Sequence, residues 1–239
     1  MNKVYSYEEL VEIIQTLRGE NGCPWDKEQT HESLIPCLLE ESYELVEALE
    51  NNDAKLMEEE LGDVLLQVLM HAQIANEEGE FSMSEVVNGI ATKLVHRHPH
   101  VFKEGQSLSS AKEVSKSWDQ IKAKEKNETT LVESMDRVAK TLPALMRTQK
   151  VQKKALKANE LERDEIGQIN QLISELEGLK MLYLQEENKN LEEEIGEILF
   201  RVVKLSTFFD INAEFALTKS VEKFINRFRY IENSRFTQD

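Results

Sequence analysis

Glycine and proline are scarce, nine and four among 239 residues, well under the roughly 12% of an average protein. So few breakers leave little room for the tight turns of β architecture and favour long helices. There are two cysteines, Cys23 and Cys37. They form neither a CxxC pair nor a zinc-ligand spacing, and two in a chain this size do not make a disulfide framework. Long apolar runs are also lacking. The most apolar stretch, Val64–Met70, falls far short of the ~20 residues a membrane span needs. The opening MNKVYSYEEL has no apolar core of a secretory leader, so a cytoplasmic location is expected. Positive charge is in short supply, with 29 Lys+Arg against 45 Asp+Glu and a net charge of −16. Such a surface repels a phosphate backbone, which disfavours duplex nucleic acid as a partner. The acidity serves solubility, or it concentrates carboxylates that hold divalent cations. What is present, 40% hydrophobic and 31% charged residues, is a soluble globular balance, too apolar for a disordered chain.

Helix punctuation is legible along the chain. Ser6-Tyr7-Glu8-Glu9 predicts a capping box and a helix to about Arg18. Gly19–Thr30 reads as a loop. Helices follow from about Leu34 to Glu50 and from Ala54 to Glu77, broken at Asn51-Asn52-Asp53, with Asp53 as the cap of the second. Ser82–Glu85 predicts another capping box and a helix to about Arg97, which His98-Pro99-His100 stops. Ser110–Glu113 predicts a third, for a helix to about Lys126, before a hinge at Asn127–Thr130. Later breaks fall near Pro143, Asp164 and Asp210. No strand pair is evident. The fold class is all-α, built from antiparallel helical hairpins that bury their apolar stripes on each other.

The chain also repeats itself. A shift of 134 residues lays Leu38-Leu39-Glu40-Glu41 over Leu172-Ile173-Ser174-Glu175. It also lays Glu58–Asp63 (EEELGD) over Glu192–Glu197 (EEEIGE). A shift of 130 lays Lys93–Arg97 over Lys223–Arg227. Matching order at near-constant offset predicts two tandem copies of one helical module, residues 1–126 and 127–239.

The first copy carries Glu41-x-x-Glu44 and Glu60-x-x-Asp63. Residues three apart share a helix face. Both 41 with 63 and 44 with 60 are centred on Asn52, so an antiparallel hairpin sets Glu41 opposite Asp63 and Glu44 opposite Glu60. The two levels lie ~12 and ~16 Å from the turn. Two carboxylates about 5 Å apart repel by roughly 3 kcal/mol at an effective dielectric of about 20. Protons or cations must relieve this. All-oxygen ligation on rigid helices suits Mg²⁺ or Mn²⁺, with substrate phosphate and water completing the shell. The alternative is a solvated acidic face. Neither pair supplies the Glu-x-x-His of a ferritin-like di-iron site. Gly62, inside a helix at a cost of ~1 kcal/mol relative to alanine, and its counterpart Gly196 suggest close approach of a backbone or ligand, or a packing need. His96, His98 and His100 alternate about a turn and are not expected to converge on a metal. Trp25 is expected to plug the CPWD turn, with a supporting role near the site left open.

These residues resemble the MazG-type nucleoside triphosphate pyrophosphohydrolases of the all-α NTP pyrophosphatase superfamily. The resemblance rests on Asn21-Gly22-Cys23-Pro24-Trp25-Asp26, the two carboxylate pairs, Lys93 and Arg97-His98-Pro99-His100-Val101-Phe102. It continues through Trp118-x-x-x-Lys122 and Leu142–Leu145, and it covers nearly the whole chain. It implies Mg²⁺-dependent hydrolysis of an NTP or dNTP to the monophosphate and pyrophosphate, by a homodimer. By the same resemblance Glu41, Glu44, Glu60 and Asp63 are metal ligands. Lys93, Arg97 and Lys122 are associated with the phosphates, and Trp118 with the nucleotide. The chemistry agrees with those residue types, because metal ions bridge carboxylates and phosphates and neutralise both. Glu41 or the adjacent Glu40 is expected to take the proton of the attacking water. Competing readings are a tandem helical-bundle interaction protein and a narrower dUTP or dCTP pyrophosphatase.

The two copies are not equivalent. Glu41 and Glu60 keep counterparts in Glu175 and Glu194. Glu44 becomes Gly178, and Asp63 becomes the longer Glu197. Lys223 and Arg227 remain, but Trp118 and Lys122 have no counterparts. The first copy is expected to do the chemistry and the second to serve packing or dimerisation.

Overall fold

The computed structural model describes residues 3–103, 108–126, 129–158, 164–185 and 191–236. Among these residues the regular structure is entirely helical. Two compact units divide the chain, Met1–Ile121 and Lys122–Asp239. The division falls inside a continuous helix, a little before the 126/127 boundary expected from the repeat. No described helix is long and apolar enough to cross a membrane.

In the first unit α1 (Tyr7–Arg18) opens on the expected capping box, Ser6 with Glu9. A single turn, α2 (Pro24–Glu28), follows with Pro24 at its start. The hairpin α3 (Ile35–Asn51) and α4 (Ala54–Glu77) is the main packed pair of this unit. Its turn is specified locally. Asn52 adopts a left-handed conformation with φ 54°, which asparagine tolerates. Asp53 accepts from the backbone N–H groups of Lys55 and Leu56 and so caps α4. Helix α5 (Met83–Arg97) begins on the Ser82–Glu85 box and ends where Pro99 opens a short α6 (Pro99–Phe102). The core of this unit is Ile14, Leu34, Leu69, Met70 and Ile74. It lies where α1 and the start of α3 meet the second half of α4, leaving the first half of α4 free for polar side chains.

Arg18 fixes the loop between α1 and α3. Its guanidinium pairs with the Glu77 carboxylate at 2.7 Å and donates to the backbone carbonyls of Asp26 and Gln29. Gly22 is required there: a β-carbon at this position would lie 2.1 Å from the carbonyl oxygen of Leu17. Trp25 does not plug the turn as expected. It is 58% exposed, because Arg18 holds α2 through backbone carbonyls and leaves the indole outside.

The last helix to begin in the first unit is α7 (Ala111–Glu125). Its Glu113 N–H donates to Ser110, but the Glu113 carboxylate accepts from Ser109, so the expected box is shifted by one residue. In the second unit α8 (Leu131–Asp136) opens on a capping box of Thr130 and Glu133, where a hinge had been expected. Residues 127 and 128 of that hinge lie outside the described residues. Helices α9 (Ala144–Lys157), α10 (Glu165–Leu184), α11 (Leu191–Phe208) and α12 (Ala213–Phe236) follow. Their starts and stops fall at Pro143, Asp164 and Asp210, as the sequence signals indicated. Helix α11 packs on both α9 and α10. Its core residues Val203 and Phe208 are accompanied by a buried Gln152 that donates to the Phe200 carbonyl at 2.9 Å.

Candidate active site

Helices α3 and α4 bring three of the four expected carboxylates together. One oxygen each of Glu41, Glu60 and Asp63 lies within 4.8 Å of the other two. Glu44 stands outside this group and is exposed. Its charge is nonetheless felt by Glu41 and Glu60. Burial pushes the Glu41 and Glu60 carboxyls above the usual carboxylate range, and neighbouring charges push further. For Glu41 the first of these neighbours is Asp63, and for Glu60 it is Glu44, the same opposition that the hairpin spacing predicts. Glu60 is only 7% exposed, and its Oε2 is buried without a hydrogen-bond partner. An unpaired buried carboxylate oxygen is costly. An all-oxygen set with one oxygen left unpaired has the chemistry a hard divalent cation requires.

Gly62 sits between Glu60 and Asp63, yet a β-carbon there would meet no atom within 4 Å, and the same holds for Gly196. Among the described residues nothing from another element approaches either glycine, so the expectation of a close backbone contact is not met there.

Beyond α4, Arg97 is 8% exposed and its guanidinium lies 5.4 Å from the centre of the Trp118 ring. That is a cation–π distance. His98 meets the same indole edge-on at 4.9 Å, and its Nδ1 lies 2.7 Å from the Leu94 carbonyl. The histidine thus packs the tryptophan that joins α7 to the end of α5. Lys93 lies one turn before Arg97 and is exposed; Glu40 is exposed beside Glu41. Lys122 lies one turn after Trp118 on α7 and belongs to the second unit.

Two features of α4 escape a motif-based reading. Gln67 is 5% exposed with its Oε1 unpartnered. His71, one turn further on, faces His31: the two Nδ1 atoms are 2.8 Å apart, with the rings within 5° of parallel. Ring centroids 5.1 Å apart fit two rings meeting edge to edge in one plane. Such a contact holds one proton between two nitrogens. Burial, and then the His31 charge, lowers the His71 pKa below its ordinary value. Gln67 and His71 follow Glu60 by seven and eleven residues, which places them on its face of α4, but that spacing does not reveal the contact with His31.

A family model, the MazG nucleotide pyrophosphohydrolase domain, matches residues 29–102. That span takes in all four carboxylates, Lys93 and Arg97. The nucleoside triphosphate pyrophosphohydrolase/pyrophosphatase MazG of Thermotoga maritima is 41% identical over 95% of this chain and 85% of its own. The chain belongs to the MazG family. The nucleoside triphosphate pyrophosphohydrolase of Escherichia coli K12 is 39% identical over 97% of this chain and 88% of its own. A mazG-related protein from Thermotoga maritima, known as a crystal structure, is 34% identical. The match has a TM-score of 0.41 and covers 48% of this chain and 97% of that one.

Proposed function

We propose that this MazG-family chain hydrolyses nucleoside triphosphates, ribo or deoxy, to the monophosphate and pyrophosphate, and so clears the cytoplasmic nucleotide pool. The observation that carries this is the convergence of Glu41, Glu60 and Asp63, with a buried oxygen of Glu60 left unpaired. Those three residues, with Glu44 adding negative charge, would hold Mg²⁺, or Mn²⁺ in its stead. Bound there, the ion neutralises triphosphate charge and lowers the cost of deprotonating water.

The rest falls to the chain. Arg97, buried and braced on Trp118, presents a fixed cation to the phosphates, while Lys93 supplies a flexible one. The Trp118 indole offers an aromatic surface to the nucleotide. The oxygen of water attacks the α-phosphorus, the bond from that phosphorus to the bridging oxygen breaks, and pyrophosphate leaves. The water proton passes to Glu41 or Glu40.

A homodimer is part of the proposal. Val87, Ile90 and Leu94 stand exposed on one face of α5, as do Leu217, Val221 and Phe224 on α12. Unpartnered apolar faces of this kind suit a second copy, and sedimentation at micromolar concentration checks it. Phosphorus NMR of the products tests the reaction. We expect a monophosphate and pyrophosphate, abolished by EDTA and restored by Mg²⁺; orthophosphate as the first product contradicts the assignment. A panel of the eight common nucleotides separates broad activity from a dUTP or dCTP specificity, and no turnover with any of them leaves the interaction-protein reading.

A further inference from the structure

The second unit repeats the hairpin but neutralises its carboxylate differently. Glu175 on α10, the counterpart of Glu41, is bound by Arg201 on α11. The Arg201 Nε donates to both carboxylate oxygens, at 2.8 and 2.7 Å. Its Nη1 donates to the side-chain oxygens of Gln168 and Gln171, at 2.9 and 2.8 Å. Both members of the pair are largely buried, with side chains 14% and 20% exposed.

The same 134-residue shift places Gln168 over Leu34, Gln171 over Cys37 and Arg201 over Gln67. Three positions therefore differ together around the glutamate that matches Glu41. An apolar residue and a thiol have become two carbonyl acceptors, and an amide has become a cation held by all of them. Among the described residues, the one group of three potential ligand side chains converging within 4.8 Å is Glu41, Glu60 and Asp63. Glu194 and Glu197 form no such group with Glu175. We propose that the Arg201 guanidinium is a built-in counter-cation standing where the first unit takes a divalent ion. The α10–α11 hairpin then holds its carboxylate without metal.

The geometry gives this a physical basis. A planar guanidinium that engages a carboxylate through Nε and Nη2 and two amide oxygens through Nη1 has most of its donors committed. It cannot leave without stranding Glu175 in a largely buried position. A cation approaching Glu175 meets a positive charge already in place, with Lys204 one turn further along α11. Burial, and then the Arg201 charge, depresses the pKa of that lysine.

The comparison with the first unit rests on the metal reading above; the role of Arg201 does not. The test is hydrogen–deuterium exchange of the full chain, with Mn²⁺ alone as the probe against EDTA. We expect Mn²⁺ to slow exchange in α3 and α4 and to leave α10 and α11 unchanged. Arg201→Gln, which installs the residue found at position 67, should speed exchange in α10 and α11 about tenfold or more. Arg201→Lys should fall between, and Glu175→Gln/Arg201→Gln should recover most of the protection by removing both charges. Mn²⁺ protection of α10 and α11 in the unaltered chain overturns the proposal. So does Arg201→Gln exchange equal to that of the unaltered chain, or a double variant no better protected than Arg201→Gln. Absence of Mn²⁺ protection in α3 and α4 counts against the metal reading of the first unit, while the Arg201 variants still decide the pair.

Discussion

The α3–α4 and α10–α11 hairpins keep a glutamate at the same point of the same supersecondary unit and solve its charge in opposite ways. In the first, Glu41 faces Glu60 and Asp63, its carboxyl pushed upward by burial and by those neighbours. In the second, Glu175 faces a guanidinium. The first hairpin carries an unsatisfied site and the second a satisfied one. Most buried polar groups in folded proteins are paired, and an exception calls for an explanation such as a water or an ion. Glu60 Oε2 is such an exception, while the Arg201–Glu175 pair conforms to the rule. On the proposal above, the difference would teach that a repeated hairpin keeps its glutamate either beside other carboxylates or against a cation supplied by the chain itself.

The comparison breaks most decisively at the carboxylates. Glu41→Gln, Glu60→Gln and Asp63→Asn should each lower kcat by at least about 10²-fold, more than the loss typical of a residue one step removed from a metal. Thermal stability should be kept or should rise, because repulsion falls. Pyrophosphate release and melting temperature check both halves of this. Glu44→Gln should cost less, about tenfold, since Glu44 acts through charge and does not join the converging group. Arg97→Lys should raise KM about tenfold, because an ammonium does not reproduce a guanidinium's geometry. Glu175→Gln should leave kcat unchanged while destabilising the second unit, since Arg201 loses its counter-charge.

The smallest effect concerns pH. The folded-state pKa of His71 lies below its ordinary value of 6.5, so the unfolded chain takes up the proton first. Its contribution is therefore present above about pH 6.5 and is lost as pH falls below that. Glu41 and Glu60 act with the opposite sign. Their pKa values are raised above 4.5, so protonation in the folded state relieves repulsion and stabilises as pH falls through that raised range. Without metal, melting temperature should dip slightly below pH 6.5. In His71→Asn the dip should vanish, leaving only the gain from the carboxylates.

Much of this was legible in the sequence because its causes are local. Ser6, Asp53 and Ser82 cap the helices that their side chains predict, and the spacing of 41, 44, 60 and 63 about Asn52 fixes which carboxylates oppose. What escaped depends on contacts between distant segments or on which way a side chain turns. Trp25 lies outside because Arg18 grips the backbone beneath it. Glu44 stands outside the converging group because residues three apart still differ by about 60° around a helix, and its side chain is exposed. Arg201 was visible only by asking what stands at the repeat position of Gln67, a residue that no motif singles out. The His31–His71 pair joins a loop to a helix forty residues away, which periodicity cannot reveal.

The most direct test of the account compares Glu41→Gln with Glu175→Gln in the full chain, measuring Mg²⁺-dependent pyrophosphate release from a nucleoside triphosphate. The account predicts that Glu41→Gln is nearly inactive, while Glu175→Gln turns over at the rate of the unaltered chain. Activity retained in Glu41→Gln and lost in Glu175→Gln would contradict it.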